Sequence, residues 1–344
     1  MRLIAYILSQ VYALVVTIRN FLYDNGIFKQ WTPPVKTICV GNLAVGGTGK
    51  TPHSIYLIQS LQNECSVAFL SRGYKRRKHG YIELNTTHQS SEVGDEPLLV
   101  KRRFPHLPVA VCEKRKMGIE KLVEHYPNLH CIILDDAMQH RAVRPGKTLL
   151  LTPYDQLYVN DTYLPHGRLR DSVNAAKRAD WIIVTKCPPQ ITSEEQQQIK
   201  NALAVLPHQH LFFSSISYSL PRQLQSDQQR EWNTISEACL ITGIANPHHL
   251  EAYVQSHIQH LQTLRFADHH NFNSRDIHRI EQLLSTMPQD TLLLTTEKDA
   301  MRLLHMNEIT DSLRSRIYYI PIEIKIINEQ EIFTKILNDY VREN

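Results

Sequence analysis

Apolar residues gather along the chain in strand-length runs set between segments of helix length, and polar residues with recognisable chemistry end each run. Val35–Val40 is the first such run, rich in β-branched side chains, and it passes into a glycine-rich turn before Gly49-Lys50-Thr51. Apolar Ile55, Ile58 and Leu61 follow at helical spacing, so the stretch reads as strand, loop, helix. Ser66–Leu70, His130–Leu134, Thr148–Thr152 and Trp181–Thr185 repeat the pattern. Such alternation predicts parallel βαβ units, with ligands at the carboxyl ends of the strands. Leu220–Asn233, rich in Gln, Arg, Ser and Asp, separates these runs from a second set at Cys239–Ile241, Leu261–Phe266, Thr291–Leu294 and Ile317–Ile326. The expected organisation is three parts: residues 1–28, 29–218 and 219–344, the last a smaller α/β domain.

The N-terminal part is the most hydrophobic. Its apolar run continues into Asn20-Phe21-Leu22-Tyr23-Asp24 with no small-residue cleavage site, which argues against a signal peptide. Ser9, Gln10, Thr17, Arg19 and Asn20 interrupt it, whereas a spanning helix wants roughly 20 uninterrupted apolar residues. Arg2, Ser9, Ala13, Thr17, Asn20 and Asp24 share one helical face, with Leu3, Ile7, Leu14, Ile18 and Leu22 elsewhere. This is the pattern of an amphipathic helix lying in a bilayer interface, with Arg19 snorkelling to the headgroups. A helix laid by its apolar face on the protein's own core has the same periodicity.

The turn Ala44-Val45-Gly46-Gly47-Thr48-Gly49-Lys50-Thr51 has phosphate-loop spacing, with Ala44 where the strict pattern has Gly. Gly46, Gly47, Thr48 and Gly49 would close backbone N–H groups around phosphate oxygens, and the following helix adds the positive end of its dipole. Lys50 would reach the β/γ-phosphates and Thr51 would ligate Mg²⁺, so ATP and Mg²⁺ are the expected cofactors; Mn²⁺ would suit the same oxygens. The implied fold class is α/β, a P-loop NTPase-like parallel sheet flanked by helices, with the smaller C-terminal domain and the N-terminal helix added. Asp135 and Asp136 end an apolar run where such an enzyme needs carboxylates for the metal or its waters. Glu92-Val93-Gly94-Asp95-Glu96-Pro97 reads as a helix cap, and in a kinase a carboxylate there would take the acceptor hydroxyl's proton. Arg72, directly after a strand end, and Arg168 and Arg170, in the polar loop Leu164–Asp171, are candidates for substrate contact.

Composition adds bounds. With 344 residues, 42% hydrophobic and 21% charged, the chain is ordinary globular protein with room for about two domains. A net charge of +4 gives no argument for nucleic acid. Its cations cluster at Lys75-Arg76-Arg77-Lys78, Lys101-Arg102-Arg103 and Lys114-Arg115-Lys116, which read as solvated faces or as a positive surface for anionic headgroups or a phosphorylated substrate. Six scattered cysteines without a C-x-x-C pair are expected as buried reduced thiols. Asp268-His269-His270 looks like a ligand set, but adjacent strand residues point to opposite faces, so no zinc site is expected.

The ordered strings GNLAVGGTGKTP, SRGY, GDEP, LDDAMQH, GRLR, VTK, GIANP, FADHH and TTEKD, spanning residues 41 to 299, resemble the tetraacyldisaccharide 4'-kinase family, the lipid A 4'-kinases of Gram-negative bacteria. The resemblance implies transfer of the ATP γ-phosphate to the 4'-hydroxyl of a lipid disaccharide 1-phosphate, on the cytoplasmic face of the inner membrane, by a peripheral enzyme without an obligate protein partner. It further implies that Asp95, helped by His269, activates the acceptor hydroxyl, with Glu96 as a neighbouring contact and domain closure uniting Asp95 with His269. Ala137-Met138 stand where family members commonly have Gly-Phe, and Asp171 where they have Glu.

Two other readings share the phosphate loop. A membrane-associated P-loop ATPase switch accounts for Asp135 and the amphipathic helix but not for Asp95, His269 or the basic clusters. A P-loop kinase of a soluble small molecule leaves the N-terminal helix without a purpose.

Overall fold

The computed structural model describes residues 2–268 and 270–343. Among them, fourteen strands form two sheets. The strands are β1 Lys36–Gly41, β2 Val67–Ser71, β3 Ile82–Glu83, β4 Val109–Val111, β5 Cys131–Asp135, β6 Lys147–Pro153, β7 Trp181–Thr185, β8 His210–Tyr218, β9 Arg222–Gln223, β10 Glu237–Thr242, β11 His260–Arg265, β12 Leu292–Thr296, β13 Ile317–Ile320 and β14 Ile322–Ile327. The larger sheet runs β14-β8-β7-β6-β1-β5-β2-β4-β3, and the smaller β11-β10-β12-β13-β9. Central strands are parallel and buried on both faces, which is why they read as unbroken apolar runs. Only the edge pairs β14/β8, β3/β4 and β13/β9 are antiparallel. β1 lies between β5 and β6, so the loop leaving it opens where the strand order reverses, the crevice in which such sheets bind ligands.

Beyond β13 the structure departs from the expected partition. Ile317–Ile326 is not one strand, because Pro321 has no N–H to continue a ladder. The chain crosses back there: β14 pairs with β8 from Ile322↔Tyr218 to Ile327↔Phe213, and helix Gln330–Arg342 sets Phe333 against Trp181 and Phe212. Residues 322–342 therefore complete the first sheet, and the second unit ends at β13. One apolar cluster runs through both units, from Leu57 and Phe333 to Leu224, Cys239 and Met301.

The N-terminal helix, Arg2–Asp24, faces the opposite way to a core helix. Leu3, Ile7, Val11, Leu14, Val15 and Ile18 are each at least half exposed, whereas Ser9 and Asn20 are buried. Ser9 Oγ donates to Tyr163 O (2.9 Å), Tyr12 OH to Arg170 O (3.1 Å) and Asn20 Nδ2 to Asp171 Oδ1 (2.7 Å). Packing through the apolar face is thereby ruled out. Arg19 does not snorkel outward either; its Nη2 donates to Gln139 O at 3.0 Å.

The basic clusters are not a continuous positive surface. Arg76 and Arg115 are buried, Arg76 on Glu113 (2.5 Å) and Arg115 on the carbonyls of Cys112 (2.6 Å) and Asp135 (2.9 Å). Arg102 and Arg103 reach the second unit, at Leu224 O and at Glu297 (3.3 Å) respectively. Their neighbours Lys75, Arg77 and Lys78 remain exposed. All six cysteines are free thiols, five of them buried.

Candidate active site

Asn42, directly after β1, organises the phosphate loop from inside. Fully buried, it donates through Nδ2 to Ala44 O (2.7 Å) and Thr48 Oγ1 (2.9 Å), while its Oδ1 accepts from Lys50 Nζ (3.4 Å) and from Arg170. From β7, Thr185 Oγ1 donates to Thr48 O at 3.0 Å. Gly46 (φ 115°) and Gly49 (φ 91°) take left-handed conformations that a side chain would strain. Helix Lys50–Leu61 starts directly after Gly49. Gly49 O accepts from His53 N (3.1 Å) and from His53 Nδ1 (2.8 Å). Burial pushes His53 down to about 4, so its ring is neutral: Nδ1–H donates to Gly49, and Nε2 accepts from Ser214 Oγ at 3.0 Å. Thr51 is buried in the first turn.

β1 and β5 are in register at Val40↔Asp135, which brings the aspartate pair beside the loop. Asp135 Oδ2 accepts from Ser71 Oγ (3.0 Å), but its buried Oδ1 has no hydrogen-bond partner. Burial first, then the charges of Glu96 and Asp136, push Asp135 up to about 7 against Lys50 and Ser71. Burial also opposes ionisation of Asp136, yet Lys50, 3.8 Å away, and Arg170 hold it below the usual carboxylate range. A dry, unbonded carboxylate oxygen fits a hard divalent cation, and Thr51, Asp135 and Asp136 are the residues that could hold one. Among the described residues, no cluster of three or more His, Cys, Asp or Glu could bind a metal. Mg²⁺ suits so sparse a set, since it keeps waters and takes phosphate oxygens.

Opposite the loop, Gly94 (φ 96°) turns the chain into helix Asp95–Arg103. Asp95 is buried and pairs with Arg302; Glu96 pairs with Lys298. His269 lies outside the described residues. The loop containing Arg168 and Arg170 is stitched to the phosphate loop by Val45 N→Arg168 O and Arg170 N→Leu43 O, both 2.8 Å. Arg170 reaches the site, on Asp136 and Asn42. Arg168 turns away to Asp161 (3.0 Å) and Gln156, and Arg72 is exposed with no hydrogen bond or ion pair to the described residues. Asn42, Lys298 and Arg302 are the residues that motif reading left without a role; two of them had a signal, Asn42 in the GNLAVGGTGKTP string and Lys298 in the TTEKD string, each at a strand end.

A glycine loop between a central parallel strand and a helix, facing carboxylates and a second acid pair, suits the positioning of a phosphoryl group for displacement. The fold and site define a P-loop phosphotransferase. Within that class, the chain belongs to the tetraacyldisaccharide-1-P 4'-kinase family, whose profile matches residues 1–342. It is 41% identical over 353 residues to a tetraacyldisaccharide 4'-kinase of Bacteroides thetaiotaomicron, covering 98% of this chain and 93% of that one. A protein of the same name from Flavobacterium psychrophilum is 40% identical, covering 96% and 94%. The fold is also that of a solved LpxK from Aquifex aeolicus in complex with ATP, at 24% identity, TM-score 0.77 and 99% coverage of both chains. The family resemblance and the P-loop fold class expected from the motifs are thereby borne out.

Proposed function

We propose that this enzyme transfers the γ-phosphate of ATP to the 4'-hydroxyl of a tetraacyldisaccharide 1-phosphate, a lipid A precursor. Lys50 and the loop amides from Gly46 to Gly49 bind the phosphates, and Arg170 steadies Asp136 beside them. Thr51, Asp135 and Asp136 hold Mg²⁺, which supplies charge neutralisation on the phosphates when bound. Asp95, with His269, takes the proton of the acceptor hydroxyl; Glu96 and Arg72 contact the acceptor. Arg168 acts through its backbone, holding its loop on the phosphate loop.

The observation favouring a lipid acceptor over a soluble one is the N-terminal helix. Its apolar stripe is exposed while its polar side is bonded to the loop carrying Arg170. The helix is long and apolar enough to cross a membrane. Its bonds from Ser9 to Asp24 hold it lengthwise along the protein, so it lies in the interface. Attachment is peripheral, on the cytoplasmic face where ATP is available. The second unit, residues 219–320, closes over the nucleotide side of the first, residues 29–218 together with 322–342. ADP release tests the reading: it should be slow with ATP alone, rise sharply with detergent-dispersed tetraacyldisaccharide 1-phosphate, and vanish in Lys50→Ala. Release indifferent to that lipid would favour an ATPase switch.

A further inference from the structure

Helix Glu297–Leu303 of the second unit packs on helix Asp95–Arg103, and its charged side chains have specific partners. Lys298 pairs with Glu96 and Arg302 Nη2 with Asp95. Glu297 takes Arg103 Nη1 on one oxygen (3.3 Å) and Ile322 N on the other (3.0 Å). Arg302 is fixed from behind as well: Nη1 donates to Asp299 Oδ1 (2.6 Å) and to Gly243 O (3.3 Å). Asp299 is fully buried and itself anchored, Oδ2 accepting from Gly243 N and Thr296 Oγ1, both 2.8 Å. The guanidinium thus has one side locked into the ends of β10 and β12 and the other on Asp95, with its side chain only 6% exposed. An ion pair serving stability alone would not need this backing, and a flexible cation could not orient a carboxylate.

We propose that Arg302 is a positioning residue for phosphoryl transfer: the second unit delivers it to Asp95, setting the orientation in which that carboxylate receives the acceptor's proton. The inference rests on the role given to Asp95 above. Among the charged groups facing Asp95 are Arg302, Lys298 and Asp299 from the second unit and Glu96 from its own helix, whose charge also reaches Asp135. Lys298 is already committed to Glu96, which with Asp95 holds it above its usual range despite burial.

The test compares Arg302→Met, Arg302→Lys, Asp95→Asn and the double variant Asp95→Asn/Arg302→Met, measuring kcat and KM separately with ATP affinity and thermal unfolding as controls. Arg302→Met should lower kcat about 10- to 100-fold with KM and ATP affinity nearly unchanged. Arg302→Lys should recover part of the rate. In the Asp95→Asn background, losing Arg302 should cost little more, because the two act as a unit. Wild-type kcat in Arg302→Met, beside an inactive Asp95→Asn, would overturn this inference alone. Near-wild-type turnover in Asp95→Asn would overturn the role of Asp95 and this inference with it.

Discussion

Gly49 closes the phosphate loop, and its carbonyl is held from two sides by His53. A histidine kept neutral in this way makes stability depend on pH. Its folded value is about 4 against 6.5 for the free side chain, so between those pH values the unfolded chain binds the extra proton. The stabilisation is present above about pH 6.5 and is lost as pH falls towards 4. Chemical denaturation at pH 7 and 4.5 should show the wild type losing roughly 2 to 3 kcal/mol more than His53→Gln over that step. Equal losses would mean that His53 is not held neutral. At this scale legibility followed chemistry. Lys50, Thr51, Asp135, Asp136 and Asp95 could be singled out because phosphate, metal and proton transfer admit few residue types at few spacings. Asn42 stood in the phosphate-loop string but its inward bonds to Ala44, Thr48 and Lys50 left no mark in the spacing, and Arg302 meets Asp95 across 207 positions of sequence, a separation no local pattern spans.

Among the elements, the N-terminal helix shows what periodicity does and does not carry. The two faces were visible in the spacing of Ser9, Asn20 and Asp24 against Leu3, Ile7 and Leu14. Which face meets the protein was not, because an amphipathic stripe is equally compatible with a core and a bilayer. The structure puts the polar side inward, where Asn20 bonds Asp171 and Arg141 takes Asp24 Oδ1 at 2.7 Å. Charging the outward stripe with Ile7→Asp, Leu14→Asp and Ile18→Asp together should therefore release the protein from anionic liposomes while leaving its unfolding temperature within a degree or two, since surface changes of this kind rarely alter stability. Continued sedimentation with the liposomes would remove the helix as the anchor. The basic clusters teach the converse. Composition could not tell Arg76, Arg102, Arg103 and Arg115, each bonded to a group within the protein, from the exposed lysines beside them.

For the whole molecule, alternating strand and helix lengths were enough to anticipate a parallel sheet with its chemistry at one edge. The return of the chain to that sheet was not anticipated. Ile322, Ile324 and Ile326 prolong the apolar run of the strand before them, and Pro321 marks the point where the backbone leaves one sheet for the other. Its consequence is a second unit entered at Ser219 and left at Pro321, where the two crossings bond to each other at 3.0 Å. That double crossing, with Lys298 on Glu96 and Arg302 on Asp95, brings the second unit to the acid pair facing the phosphate loop. An enzyme with this assembled site phosphorylates a lipid. The direct measurement is transfer of label from γ-labelled ATP to detergent-solubilised tetraacyldisaccharide 1-phosphate, with the label located on the sugar and Asp95→Ala alongside. Label on the 4'-oxygen, lost in Asp95→Ala by orders of magnitude, is the predicted result. Label recovered only as free phosphate would contradict the account.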